Sequence, residues 1–208
     1  MAKNTLAERP KPGRGGTELA PSERILEVAR DLFCRDGIHA TGIDRILSEA
    51  GASKMTLYTR FGSKEALVRE VLLREGADWR VTFFAAVEQA GPDPMQQLLE
   101  VVPALATWFH GGRFYGCSFM NASAEHAKGD PGLRELVACH HRQILDFLQI
   151  RTEAAGLSEP GLLARQILLT IDGAIAALMV AGDEAILSVA DRNLRAIISQ
   201  ASIITNIF

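Results

Sequence analysis

Three cysteines in 208 residues, Cys34, Cys117 and Cys139, are too few, too scattered and of the wrong parity for the disulfide framework of a small secreted domain. A reducing cytoplasm suits them. The first sixteen residues, MAKNTLAERPKPGRGG, lack the apolar stretch of a signal peptide. Long hydrophobic runs are missing too. The longest, residues 174–181, has eight residues, far short of the roughly 20 that cross a bilayer, so no membrane partner is expected. An excess of one charge sign is also absent. A formal net charge of -3 excludes a uniformly basic nucleic-acid binder but not a local basic patch.

Motifs for catalysis and metal binding are absent as well. There is no glycine-rich phosphate loop, nucleophile elbow or paired-histidine zinc signature, so nothing points to an enzyme. Cys117, His126, Cys139, His140 and His141 form no CxxC or HxxxH pair, and the adjacent His140 and His141 leave a helix on different sides. No metal site and no cofactor are expected. Cys117 and Cys139 have no evident cationic partner in sequence, which leaves thiol sensing through either as an alternative without a motif behind it. Alternation of β-branched and polar residues is never sustained, whereas spacings of three and four recur throughout, so the chain reads as all-α.

What the chain does contain is unevenly spread. Residues 1–75 hold 13 Lys and Arg against 11 Asp and Glu, and the remainder holds 9 against 14, so a polyanion fits best near the N-terminal third. Residues 1–21, with Lys3, Arg9, Lys11 and Arg14 among three prolines and three glycines, read as a flexible basic arm, either a plain tail or a DNA contact. Prolines then stop until Pro92. A first helix runs from a Ser22 cap to Gly37. A second, capped by Thr41, ends at Gly51; a third, capped by Ser53, ends at Gly62; a fourth starts at Ser63. The second and third are too short to stand alone and must pack across the first and fourth. Asp93-Pro94 and Asp130-Pro131 each open a further helix, with Pro103 inside the former. A short helix is expected over residues 117–127, and two strongly apolar ones, the first starting at Ser158, close the chain on either side of Gly182-Asp183.

The stretch SKMTLYTRFGSKEAL, residues 53–67, holds more hydrogen-bond donors than a helix needs for its own stability. Leu57 and Phe61 sit one turn apart and face a core, while Ser53, Lys54, Thr56, Thr59 and Arg60 lie on roughly the opposite side. Two short helices joined at Ala50-Gly51-Ala52 have the proportions of a helix-turn-helix, and a donor-rich face without carboxylates suits a groove lined with phosphates. Ordinary caps on a solvated surface would give the same residues.

Gly37-Ile38-His39-Ala40-Thr41, Ile43-Asp44-Arg45-Ile46, Ala50-Gly51-Ala52-Ser53-Lys54, Leu57-Tyr58 with Phe61, and Lys64-Glu65-Ala66-Leu67 together resemble the DNA-binding domain of the TetR family of transcriptional regulators. The resemblance covers residues 22–72. It implies a helical homodimer of about nine helices, with a three-helix helix-turn-helix bundle at the N-terminus. Residues 73–208 would then form a helical ligand-binding and dimerisation domain. It also implies double-stranded operator DNA and a small-molecule inducer as partners, with repression as the expected sign and activation the alternative. Carried onto this chain, Thr41, Arg45, Ser53, Lys54, Met55, Thr56, Tyr58, Thr59 and Lys64 become the DNA-contacting residues. Met55 stands where the family often has glycine, and Gly42 where it often has a second hydroxyl.

The C-terminal part is less diagnostic. Trp79, Phe83, Trp108, Phe109, Phe114, Phe119, Met120 and Phe147 can line an apolar pocket in which Asn121, His110 or His140 orients a ligand, with ordinary core packing the alternative for each. Ile167, Ile171, Ile175 and Leu178 on one helix, with Leu187, Leu194 and Ile198 on the next, either form the buried centre of one domain or, as expected here, meet a second copy of the chain.

Overall fold

A computed structural model describes residues 19–111, 115–126 and 129–205. Among them are nine α-helices: α1 (Pro21–Asp36), α2 (Ile43–Ala50), α3 (Lys54–Phe61), α4 (Lys64–Glu88), α5 (Pro94–His110), α6 (Ser118–His126), α7 (Pro131–Ala154), α8 (Pro160–Ala181) and α9 (Ala185–Thr205). The basic arm lies almost wholly outside the described residues, as does Phe114.

Side-chain caps open four of the nine described helices. The Ser53 Oγ accepts from the Thr56 N–H at 3.1 Å, the Ser63 Oγ from the Ala66 N–H at 3.1 Å, and the Asp93 and Asp130 carboxylates from Met95 and Leu133, with proline in the first turn of both latter helices. Three starts depart from expectation. Pro21 opens α1 behind Ala20, so Ser22 is not its cap. Gly42, not Thr41, precedes α2, and no side chain caps it. Pro160 opens α8 behind Glu159, while the Ser158 hydroxyl donates instead to the Ala201 carbonyl at 2.9 Å.

Two apolar clusters divide the molecule. In the head, α1, α2, α3 and the first half of α4 converge on Ile25, Leu32, Ile46, Leu57, Leu67 and Val71, all essentially inaccessible to solvent. In the body, the second half of α4 joins α5, α7, α8 and α9 around Leu98, Leu105, Leu148, Ile167, Ile171 and Leu194. At 25 residues α4 is about 37 Å long, and it belongs to both. The boundary anticipated at residue 72 therefore falls inside one continuous helix. Gly51 ends α2 in the left-handed region (φ 57°), and its carbonyl and that of Ala50 accept from the Arg24 guanidinium at 3.1 and 2.9 Å. The turn between α2 and α3 is thus fixed from α1.

Helix α8 carries an 18-residue window of mean hydropathy 1.6, enough by length and composition alone to cross a membrane. Short charged interruptions hide this from a count of uninterrupted apolar residues. Its inner face packs on α7 and α9.

Leu57 joins α3 to the head with no accessible surface. Replacing it with alanine should cost about 2–5 kcal/mol in chemical denaturation followed by circular dichroism, whereas Thr59→Ala on the exposed side of the same helix should stay within about 0.5 kcal/mol.

Candidate functional site

The outer surface of α3 is made by Ser53, Lys54, Met55, Tyr58, Thr59 and Arg60, all exposed. Met55 is 78% accessible and Tyr58 49%, which is unusual for side chains of this size and leaves both free to meet a partner. Thr56 is half-buried, and its hydroxyl lies 2.9 Å from that of Ser53. The Lys54 ammonium is 2.8 Å from the Asp44 carboxylate, an exposed pair whose hydrogen bond raises the lysine pKa. Arg60 reaches Glu70 at 2.7 Å and lies over the Phe61 ring.

Three expected DNA contacts sit elsewhere. Thr41 has no accessible surface, and its hydroxyl donates to the Gly37 carbonyl at 2.7 Å, so it ties the turn after α1 and cannot reach a phosphate. Lys64 points inward and donates to the Ile38 carbonyl at 2.7 Å. Arg45 bridges Asp36 at 2.8 Å and Glu49 at 3.0 Å. Exposed Gly42 instead leaves the start of α2 without a side-chain cap, so its first N–H groups remain open to an anion.

A cavity of about 440 Å³ opens in the body between α4, α5, α6, α7 and α8. Trp79, Trp108, Phe119, Met120 and His140 line it, as expected, and Cys117 joins them. Phe83 faces a neighbouring cavity of about 320 Å³ that shares Glu75, Trp79 and Trp108 with the first. Phe109 and Phe147 are core residues instead. Phe147 is sandwiched between the Phe84 ring at 3.7 Å and the Arg151 guanidinium at 3.3 Å. Asn121 borders only a small crevice toward the head.

The cavity also includes residues that pattern reading had assigned elsewhere or passed over. Ile171 and Ile175, expected at a subunit interface, form part of its wall, and Glu75 and Asp172 bring charge to it beside His141. Ile167, Leu194 and Ile198 are buried in the protomer's own core, and Leu178 and Leu187 pack against it. Those seven residues are thus not the outward face of α8 and α9. That face carries Leu162, Leu169, Met179, Val180 and Val189, with Val180 90% accessible.

His140 is the most perturbed group of the cavity. Its Nδ1 accepts from Arg80 at 2.8 Å, and its ring stacks on Phe119 with centroids 3.7 Å apart. Burial, with the nearby Arg80 and His141 charges, pushes its pKa down to about 3, so the ring is neutral near neutrality. Burial also raises the Cys117 pKa, and it pushes Cys34 up to about 11. Both are therefore protonated thiols, the opposite of what a reactive sensor needs. Cys139 is exposed on α7. Among the described residues no three His, Cys, Asp or Glu side chains converge on a common point.

Helix α6 connects cavity and head. Phe119 lines the cavity yet belongs to the head cluster, as does Ala122 one turn on. Phe119 can sit there because Gly76 of α4 has no side chain; a Cβ at Gly76 would come within 2.6 Å of the ring. Farther along α6, the Glu125 carboxylate accepts from the backbone N–H groups of Ile38 (3.2 Å) and His39 (2.8 Å), and the His39 ring donates back to the Glu125 carbonyl at 3.0 Å. Arg69–Asp130, at 2.8 Å, and Arg30–Glu75 add ion pairs between the same parts.

Comparison with known proteins gives these features a context. The sequence profile described as "Bacterial regulatory proteins, tetR family" matches residues 25–71. The chain is 38% identical over 60 residues to the transcriptional regulator UidR of Escherichia coli K12, covering 28% of this chain and 31% of UidR. It is 34% identical over 119 residues to the transcriptional activator FasR of Mycolicibacterium smegmatis, covering 55% of this chain and 54% of FasR. The chain thus spans about a third to a half of the length of these relatives. The crystal structure of a TetR-family transcriptional regulator from Streptomyces coelicolor superposes with a TM-score of 0.81 at 26% identity, covering 88% of this chain and 96% of that one.

Because His140 has its pKa depressed from 6.5, an unfolded chain binds a proton there that the folded one refuses. Its contribution to stability is complete above about pH 6.5 and is lost as pH falls toward about 3, with a slope of up to about 1.4 kcal/mol per pH unit. Urea denaturation at pH 7.5 and 5.5 should show this loss, and His140→Gln should reduce it.

Proposed function

The chain belongs to the TetR family of transcriptional regulators, and from that premise we propose that it is a cytoplasmic repressor. It binds a palindromic operator as a homodimer, and it releases DNA when a small, largely apolar effector fills the α4–α8 cavity. The observation that carries this is the double membership of Phe119, at once a wall of the cavity and a part of the head cluster. A molecule that displaces this ring bears on the packing beneath the helix-turn-helix.

On the DNA side, α3 enters the major groove. Lys54, Met55 and Thr59 face base edges or adjoining phosphates, and Tyr58 gives its hydroxyl to a phosphate while its ring rests on the bundle. The open start of α2 receives a second phosphate through backbone N–H groups. Arg24, clamped on the turn between α2 and α3, fixes the angle at which α3 is presented.

Two protomers meet through the outward faces of α8 and α9. Leu162, Leu169, Ala176 and Val180 form one exposed stripe along α8, and Gly173 within it has nothing within 4 Å of a would-be Cβ, so a partner helix can approach closely. Activation through the same parts is the second reading, favoured by the likeness to FasR, which is named an activator.

Fluorescence anisotropy with DNA from upstream of its own gene tests the DNA-binding role: binding should be sequence-specific and fall steeply with salt. Lys54→Ala should weaken binding to all sequences and lower the salt slope by about one. Tyr58→Phe should cost about 1.5–3 kcal/mol, the range for a hydrogen bond to a charged group. Affinity indifferent to sequence contradicts the proposal. Leu169→Glu with Val180→Glu should yield monomers in sedimentation and abolish operator binding; a stable dimer would contradict the interface.

A further inference from the structure

Among the described residues sixteen line the main cavity, and neither lysine nor arginine is among those sixteen. Two carboxylates are: Glu75 on α4 and Asp172 on α8. Their side chains are 22% and 28% accessible, withdrawn from bulk water but not sealed. Two described arginines contact lining residues without lining the cavity themselves. Arg30 approaches Glu75 from α1, and Arg80 is turned onto His140 Nδ1. On Asp172, the His141 Nε2 donates at 2.8 Å. The remaining surface is mostly aromatic and aliphatic, with Trp79, Trp108 and Phe119 offering π-faces. The Trp79 indole N–H is buried and has no hydrogen-bond partner among the described residues.

We infer that the effector cavity is selective for lipophilic organic cations, which it holds between aromatic faces and the Glu75 and Asp172 carboxylates, and that it excludes anions of the same shape. The inference rests on the effector role proposed above for this cavity. Aromatic faces attract delocalised cations, and a carboxylate in a low-dielectric recess strengthens the attraction while repelling a carboxylate or phosphate ligand. The Cys117 thiol in the same wall responds to both carboxylates, which add to burial in raising its pKa, so their fields reach the cavity interior. A cation at Glu75 also competes with Arg30, loosening an α1–α4 ion pair that holds the head to the body.

Both tryptophans of the chain, Trp79 and Trp108, line this cavity, so intrinsic fluorescence reports on it directly. The test titrates the full-length protein with tetraphenylphosphonium and tetraphenylborate, ions matched in size and shape and opposite in charge. The cation should bind at least roughly tenfold more tightly, and Asp172→Asn and Glu75→Gln should each narrow that ratio by roughly fivefold. Equal or tighter binding of the anion overturns the inference, as does failure of both ions to bind, or a ratio unchanged in both variants. If one variant does not fold, judged by its melting curve, the other and the wild-type ratio decide. Operator anisotropy run in parallel separates the two proposals. Cation binding that leaves operator affinity unchanged removes the effector role but keeps the selectivity. Operator release by the anion instead keeps the effector role and removes the selectivity.

Discussion

Phe119 is the contact on which the architecture depends. Its ring occupies the space that Gly76 leaves on α4, stacks on His140 of α7, closes one side of the body cavity and completes the apolar cluster of the head. Close-packed interiors do not deform continuously, so a ring shared by two compartments cannot move in one without disturbing the other. Gly76 makes the arrangement possible, because any larger residue there would push Phe119 and α6 away from α4.

Polar contacts along the same seam reinforce the coupling. Glu125 holds the turn after α1 through two backbone N–H groups, and Thr41 and Lys64 satisfy the Gly37 and Ile38 carbonyls of that turn. Without these partners the turn would leave backbone groups unpaired at the junction of head and body. The Arg69–Asp130 ion pair lies on its rim, where solvent screening limits its worth, so it sets register more than strength. On the proposed account, an effector acts on a junction made of one shared ring and one clamped turn.

Much of the fold was legible in the sequence. Ser53, Ser63, Asp93 and Asp130 cap where their spacing to the following apolar residues placed them, and Leu57 and Phe61 divide α3 from its exposed face as their one-turn spacing implied. Thr41 and Lys64 were not legible as they stand, because their partners are carbonyls in an irregular turn, and no spacing rule reports where a turn directs its carbonyls. Arg24 was missed for the same reason. The last two helices failed differently. α8 is apolar almost all round, so periodicity cannot tell its inward face from its outward one; Ile171 and Ile175 proved to line the cavity, while Leu169 and Val180 face outward. Glu75 and Asp172, acidic residues on helices 97 positions apart in sequence, carry no local signal that they share a cavity.

Coupling between head and cavity is the central claim, and it can be tested without knowing the effector. Trp79 and Trp108 both lie in the cavity wall and the head contains no tryptophan, so their emission reports on the cavity region of the body and not on the head. Linkage is reciprocal: whatever the cavity does to operator affinity, the operator must do to the cavity. Tryptophan emission recorded while operator DNA is titrated to saturation should shift in step with occupancy of the head. A spectrum that stays unchanged while anisotropy shows the operator fully bound would contradict the coupling.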